Sequence, residues 1–295
     1  MIAVLRIGTR ASRLAMIQAS LAADAIAPVL GDALLVPMAT KGDATSQRRP
    51  SGSWVDDDGQ FTRDLERALT DGEVDLVAHS YKDLPTDPVD GLVVAAVLER
   101  ADPRDCLVTN AGRCLEDLPI GARVGTSSPR RSAQLLAVRD DLVVQPMRGN
   151  VETRLARLGT GEVDALLLAA AGLDRLGVVV PEESRLPLDI VLPAPAQGAL
   201  AIQVRSEDAG LVEALGRVDH RATRIAVEAE RALLRAIGGG CLAPLGTLGD
   251  FDGELLKLRA AYAPPTGGLI RACGIGAAHD PAAVVERVAR EALGQ

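Results

Sequence analysis

Two segments of this 295-residue chain repeat one another, and a repeat of this kind restricts the fold more than any other feature in it. "RIGTRASRLAMIQA" (6–19) and "RVGTSSPRRSAQLLA" (123–137) each read as a strand, a Gly-Thr step, a serine-rich turn and an amphipathic helix. Further along, "GEVDLVAHS" (72–80) and "GEVDALLLA" (161–169) each set a GEVD turn before a buried strand. Short β-rich runs alternating with helical stretches point to parallel α/β units, and the duplication predicts two domains of one topology. The step from GT to GEVD is longer in the first copy (8 to 72) than in the second (125 to 161), which predicts an insertion in the first. "KGDATSQRRPSGSWVDDDGQF" (41–61) is the place for it, polar, without apolar periodicity and long for a structureless connection, as lids and disordered segments are.

After "DIVLPAPAQGALAIQVR" (189–205), a proline-broken crossover and a strand, the pattern changes. A helix from about Thr223 to Ile237, the runs "LLKLRAAY" and "GLIRACGIG", and a helix near Pro281 to Leu293 predict a small separate α+β domain. The expected boundaries are 1–98 with 194–216 for domain 1, 99–193 for domain 2 and 217–295 for domain 3. The N-terminus enters a strand-like run without the features of a signal peptide, and no apolar run reads as long enough to span a membrane, so a cytoplasmic protein is expected. The four cysteines (Cys106, Cys114, Cys241, Cys273) are far apart, and neither a disulfide framework nor a metal site is readable from them. A net charge of −8 and 2% aromatic residues argue against a nucleic-acid partner.

Of the 32 basic residues only Lys41, Lys82 and Lys257 are lysine. The placement of the arginines is informative. Ser12, the Ser127-Ser128 pair and Asn150 are good helix N-caps and Pro129 suits a first helical position. Arg13, then Arg130 and Arg131, then Arg154 follow them, with Arg10 and Arg148 just upstream. Cations there oppose the helix dipole by about 0.3–1 kcal/mol each, whereas an anion would be held by both the free N–H groups and the guanidinium forks. The pattern predicts an anion site and leaves carboxylate and phosphate open. Neither the P-loop nor the GxGxxG pattern is present. "VAHSYKDLP" (77–85) ends a buried strand in Lys82 and Asp83, at the strand end where open α/β sheets bind ligands. His79, within that strand, is expected to be a satisfied core histidine. In "IGGGCLAP" (237–244) a helix C-terminus accounts for one glycine, and three leave room for a bulky group at the Cys241 thiol.

"GTRASRLA", "KGD", "HSYKDLPT", "LERADPRDCLV", "VGTSSPRRSAQL", "RGNVETRL", "AAAGLDRLG", "PAQGAL" and "GGGCLAP" occur in the order seen in the porphobilinogen deaminase (hydroxymethylbilane synthase) family, and the chain is identified as resembling it over nearly its whole length. The resemblance implies two periplasmic-binding-protein-like (type II) domains plus a small C-terminal α+β domain. It also implies a monomeric transferase of heme and tetrapyrrole biosynthesis that condenses four porphobilinogen molecules. By motif match Asp83 is the catalytic aspartate, and Cys241 carries a dipyrromethane cofactor by a thioether bond. Lys82, Ser128, Arg130, Arg131 and Asp43 would bind that cofactor, and Arg10, Ser12, Arg148, Arg154, Arg175 and Gln197 the substrate. No metal is implied. The chain departs from the family pattern at Asp56, Asp57 and Asp58, where relatives often carry a glycine-rich stretch with a basic residue, so no substrate contact is carried over from that stretch. Gly238 stands where many relatives have an acidic residue. The rival readings are a bilobed binding protein for a polycarboxylate and an enzyme of phosphate ligands.

Overall fold

A computed structural model describes residues 4–38, 62–112, 114–238 and 240–295. The expected insertion at 41–61, with Asp43 and Asp56 to Asp58, lies outside the described residues.

The first sheet has the order β2-β1-β3-β9-β4. Its strands are β1 (Leu5–Arg10), β2 (Ala33–Met38), β3 (Leu76–Ser80), β4 (Leu92–Val97) and β9 (Leu200–Arg205). The second has the order β5-β8-β6-β7, from β5 (Asp105–Thr109), β6 (Arg123–Gly125), β7 (Val143–Gln145) and β8 (Ala165–Ala169). In both sheets a central strand lies parallel to two neighbours, and the next strand beyond them is antiparallel: β1 between β2 and β3 with β9 beyond, β6 between β7 and β8 with β5 beyond. The duplication read from the sequence is therefore a duplication of topology. Each antiparallel strand follows a crossing between the lobes, so the two halves exchange chain.

One polar device is repeated with the topology. Arg6, early in β1, donates its backbone N–H (2.8 Å) and Nε (3.1 Å) to Asp75 of the first GEVD turn and one Nη to the Gly72 carbonyl (2.9 Å). Arg123, opening β6, makes the same three bonds at 2.8, 3.1 and 2.9 Å to Asp164 and the Gly161 carbonyl of the second. The two ends of each GT-to-GEVD segment are pinned alike.

Helix α1 (Arg13–Leu30) follows β1 and α2 (Arg63–Thr70) precedes β3. In the second lobe, α3 (Pro129–Leu136) follows β6, α4 (Val151–Gly159) precedes β8 and α5 (Ala170–Arg175) follows it. The N-caps form as expected: Ser12 accepts from Ala15 N, Ser128 from Arg131 N and Asn150 from Thr153 N, and Pro129 opens α3. Helix α1 corrects one expectation. Its 18 residues have a mean hydropathy of 1.3, which by length and composition is enough to cross a membrane. In the fold it lies on the first sheet, burying Ala19, Ala22 and Ile26 with Ile7 and Leu76. The second lobe closes around Leu107, Leu135 and Leu167. His79 is buried, with its Nε2 2.9 Å from the Gln203 amide oxygen. Burial, opposed in part by that bond, pushes its pKa down to about 4, as befits a core histidine.

After β9 come α6 (Ala209–Leu215) and α7 (Arg221–Ile237), then the antiparallel meander β10 (Leu245–Phe251), β11 (Leu255–Tyr262) and β12 (Ile270–Ala277), and α8 (Pro281–Ala292). Alternation along β11 turns Leu256, Leu258 and Ala260 onto α7 and α8, where they meet Leu233 and Val288.

The three parts meet at the PAQG crossover, which is strained. Ala196 has φ 61°, the one non-glycine in the left-handed region among the described residues. Gly198, at φ 92°, passes so close to the other crossing segment that a Cβ would lie 2.5 Å from the Ala101 carbonyl oxygen. What holds the crossover is Glu230 of α7, fully buried. Its carboxylate accepts from both Nη atoms of Arg100 (2.6 and 3.1 Å), from Ala196 N (2.6 Å) and from Gly249 N of β10 (2.8 Å). One side chain ties the segment after β4, the crossover and the third sheet. Backbone strain persists where the surroundings over-determine it, and four charge-assisted bonds do so here.

Candidate functional site

The candidate residues gather at the C-terminal ends of the parallel strands, as expected for open α/β sheets. Arg10 ends β1, with Ser12 capping α1 beyond it, and β3 runs into a one-turn 3-10 helix, Tyr81–Asp83. Ser128, Arg130 and Arg131 follow β6, Arg148 and Arg154 flank the start of α4, and Arg175 ends α5.

The turn bearing Asp83 is gripped from outside. Tyr81 N donates to the Ala199 carbonyl (3.0 Å) and Leu84 N to the Tyr81 carbonyl (3.3 Å). From α7, Arg231 donates to the carbonyls of Tyr81 (3.3 Å), Leu84 (2.8 Å) and Pro85 (2.6 Å), with its guanidinium 4.4 Å from the centre of the Tyr81 ring. Asp83 itself is exposed at the apex, so a solvent-facing acid stands on a backbone held by these bonds. Nothing in the sequence singles out Arg231, which reads as one more charge on an amphipathic helix.

Beside Asp83, half-buried Lys82 donates to the Gln197 amide oxygen (3.3 Å). The amide nitrogen of Gln197 donates in turn to the Pro103 carbonyl (2.8 Å) and to Asp105 (2.9 Å). Asp105 is fully buried and accepts from Arg130 and from Arg131, each at 2.7 Å. Burial alone would raise the Asp105 carboxyl, but the two guanidiniums hold it well below the usual carboxylate range. Arg130 also donates to the Leu192 carbonyl (2.7 Å), while Arg131 Nε is buried without a hydrogen-bond partner.

The cleft here holds about 460 Å³ of empty space, open to solvent. It is lined by all three parts of the chain: Lys82 from the first lobe, Ser128 and Arg130 from the second, Arg231 and Gly240 from the third, with Leu84, Pro195 and Ala243 as apolar walls. Cys241 lies in the short turn Gly240–Leu242 beside it, just past the end of α7. Gly238 (φ 80°) caps that helix, its N–H bonding the Leu234 carbonyl (3.0 Å), and Gly240 (φ 56°) turns again, so two of the three glycines are required by backbone conformation.

Among the described residues around the cleft, cations outnumber the anions that face them. Lys82 is pushed down to about 8, by burial first and then by Arg131 and Arg130, with Asp83 and Asp105 opposing. Arg154 is pushed down to about 10 by burial, Arg131 and Arg148, and its Nε donates to the Gly149 carbonyl (2.8 Å). An excess of buried positive charge with an unused guanidinium donor suits a ligand of several carboxylates, since such a ligand supplies the missing counter-charge. Arg175 stands apart from this cluster. It donates to the Gly198 carbonyl (2.8 Å) and so braces the crossover. Arg13 pairs with Glu152 of α4 at 3.3 Å across the two lobes.

The chain is similar to known proteins along most of its length. Residues 5–213 match the family model for porphobilinogen deaminase, dipyromethane cofactor binding domain, and residues 224–294 the model for its C-terminal domain. The porphobilinogen deaminase of Nocardia farcinica is 47% identical over 98% of this chain and 85% of its own. That of Desulforudis audaxviator is 46% identical over 94% and 90%. Among solved structures, an ancestral arginine-binding protein bound to arginine is 20% identical, with a TM-score of 0.38 over 73% of this chain and 90% of that one. With two family models covering most of its length and relatives at this identity, the chain belongs to the porphobilinogen deaminase family.

Proposed function

We propose that this cleft joins four porphobilinogen molecules head to tail, with loss of ammonia, into the linear tetrapyrrole hydroxymethylbilane, on a dipyrromethane attached to Cys241 by a thioether bond. The observation that carries the reading is the convergence of all three parts of the chain on one cationic cleft, with Asp83 on a braced turn at its edge and Cys241 in the turn beside it. The cofactor, when bound, supplies the free pyrrole α-carbon from which the chain grows.

Everything else is done by this chain's side chains. Lys82, Ser128, Arg130 and Arg131, with Asp43 by motif match, are assigned to the cofactor's acids and pyrrole N–H groups. Arg10, Ser12, Arg148, Arg154, Arg175 and Gln197 are assigned to porphobilinogen, whose acetate and propionate need fixed cations in a partly water-excluded space. The Asp83 carboxylate stabilises the positive charge that develops on porphobilinogen as ammonia leaves its aminomethyl group, whose methylene stays as the bridge, and accepts the proton released when two rings join. The chain divides for this purpose into domain 1 (1–98 with 194–216), domain 2 (99–193) and domain 3 (217–295); the pairing of β9 with β3 and β4 supports returning the crossover strand to domain 1. Membership of a biosynthetic enzyme family supports a cytoplasmic location.

The deciding test is the intact mass of the denatured protein, after incubation with porphobilinogen, beside that of Cys241→Ser. A covalent excess of two pyrrole units on the wild type alone is expected. A wild type at bare polypeptide mass would overturn the reading in favour of a bilobed polycarboxylate binder.

The Lys82 ammonium gives a second expectation. Free, it loses its proton as the pH rises through about 8. A carboxylate bound beside it raises that value, so binding is tightest below pH 8 and weakens above it, by up to about tenfold per pH unit for one linked proton. KM for porphobilinogen measured from pH 7 to 9.5 should rise on the alkaline side for the wild type and stay flat for Lys82→Met. A flat wild-type profile would show that Lys82 holds no acid of the incoming porphobilinogen and serves the cofactor alone.

A further inference from the structure

The fully buried carboxylate of Asp105 has no part in the reading above, yet it is the centre of the cluster. One oxygen accepts from Arg131 and from the Gln197 amide, the other from Arg130. Its two arginines sit on the first turn of α3, behind the Ser128 cap, and Gln197 is on the strained crossover. An amide side chain has one donating and one accepting end. By holding the donating end, together with the Pro103 carbonyl, Asp105 and the 103–105 backbone leave only the Gln197 oxygen to face Lys82. An unbroken chain of polar contacts thus runs from the arginine pair through Asp105 and Gln197 to Lys82, the neighbour of Asp83.

We propose that Asp105 is a positioning residue of the condensation site, a resident carboxylate that sets the charge balance of the cleft and orients Lys82 through Gln197. This rests on the deaminase reading. Among the described residues, the three cations Lys82, Arg130 and Arg131 face one buried anion at the cleft floor, Asp105, with the exposed Asp83 beside Lys82. That leaves enough positive charge to hold the incoming acids and not so much that a product carrying many of them stays bound. Without Asp105 the floor gains a full positive charge in a poorly solvated place, where Coulomb energies are several-fold those in water. Lys82 is faced by Asp83 on its own turn, by Arg130 and Arg131 from α3 and by Asp105 from β5, with Arg231 of α7 in the same lining. Removing the Asp105 charge takes away one of its two opposing anions, so its proton is lost at lower pH.

The test uses the holoenzyme. Asp105→Asn is expected to keep the covalent mass on Cys241 and to lose turnover by about tenfold or more, while KM does not rise. The alkaline limb of its kcat/KM profile should move to lower pH. Calorimetry with benzene-1,3,5-tricarboxylate should show binding about threefold or more tighter than to the wild type. Asp105→Glu, which restores the charge, should return the alkaline limb to its place. Should Asp105→Asn fail to fold, Gln197→Leu leaves both arginine pairs intact and is expected to move the same limb downward without tightening the probe. An unmoved limb in the variant that folds, with KM rising in step with lost stability, would reduce Asp105 to a structural ion pair and overturn the proposal. Failure of the deaminase reading looks different, because it is seen in the wild type, which would then carry no covalent excess and consume no porphobilinogen.

Discussion

Asparagine in place of Asp83 is expected to cut turnover by about 10²–10⁴, the usual worth of a positioned acid–base group, with little effect on KM or on stability. Two structural facts separate these quantities. Asp83 is exposed, so its replacement by an isosteric amide leaves no buried group unpaired and should cost within about 0.5 kcal/mol. The turn that carries it is held through backbone carbonyls by Arg231 and through Tyr81 N by the Ala199 carbonyl, none of which involves the Asp83 side chain. The substrate's acids meet the arginines, not Asp83, which keeps KM nearly constant. Steady-state rates, a thermal melt and the intact mass of Asp83→Asn, taken together, check this. A variant keeping more than a tenth of wild-type turnover with its cofactor mass in place would remove Asp83 from the chemistry.

Replacement of Glu230 by alanine should have the largest effect on stability. It strands the Arg100 guanidinium, 11% exposed, and the N–H groups of Ala196 and Gly249. Removing one partner of a buried ion pair costs about 3–5 kcal/mol, which corresponds to a thermal midpoint lower by roughly 6–20 °C in a protein of this size class. The loss should be felt where the parts join. Ala196 holds its left-handed conformation partly through its bond to Glu230, and Gln197, next in the chain, orients Lys82. Glu230→Gln, keeping shape and one acceptor oxygen, should lose less. Melting curves of both variants decide it; a midpoint within 2–3 °C of wild type for Glu230→Ala, roughly the change for 1 kcal/mol, would show that the hub is redundant.

How far the sequence could be read follows from the kind of signal each feature leaves. The duplication was legible because GT, the helix caps and GEVD are local chemistry with fixed spacing, and each has a local partner: Ser12 meets Ala15 N, Ser128 meets Arg131 N, Asn150 meets Thr153 N. His79 was legible because an apolar strand surrounds it. Asp105, Glu230 and Arg231 were not. Each is a charged residue whose partners lie 19 to 150 positions away, and a lone charge in a sequence reads as solvent-facing. The membrane length of α1 escaped for a related reason, since its apolar residues are spread around the helix and interrupted by Asp24 and Pro28, where no unbroken run catches the eye. The strain at Ala196 left no mark at all, because alanine has no preference for positive φ and only the surrounding bonds impose it.

The position of β9 bears on how the chain is made. The second sheet draws all four of its strands from residues 105–169, so it can close while the remainder of the protein is still being synthesised. The first sheet cannot, for its β3 and β4 are joined only through β9, residues 200–205. The N-terminal half must therefore wait on the ribosome with two strand edges unpaired while its successor folds, and it is completed by a strand arriving more than 100 residues after its partner. Non-local pairing of this kind is slow and exposes apolar edges meanwhile. The segment emerging first is the one finished late, and that interval is when the nascent chain most needs shelter.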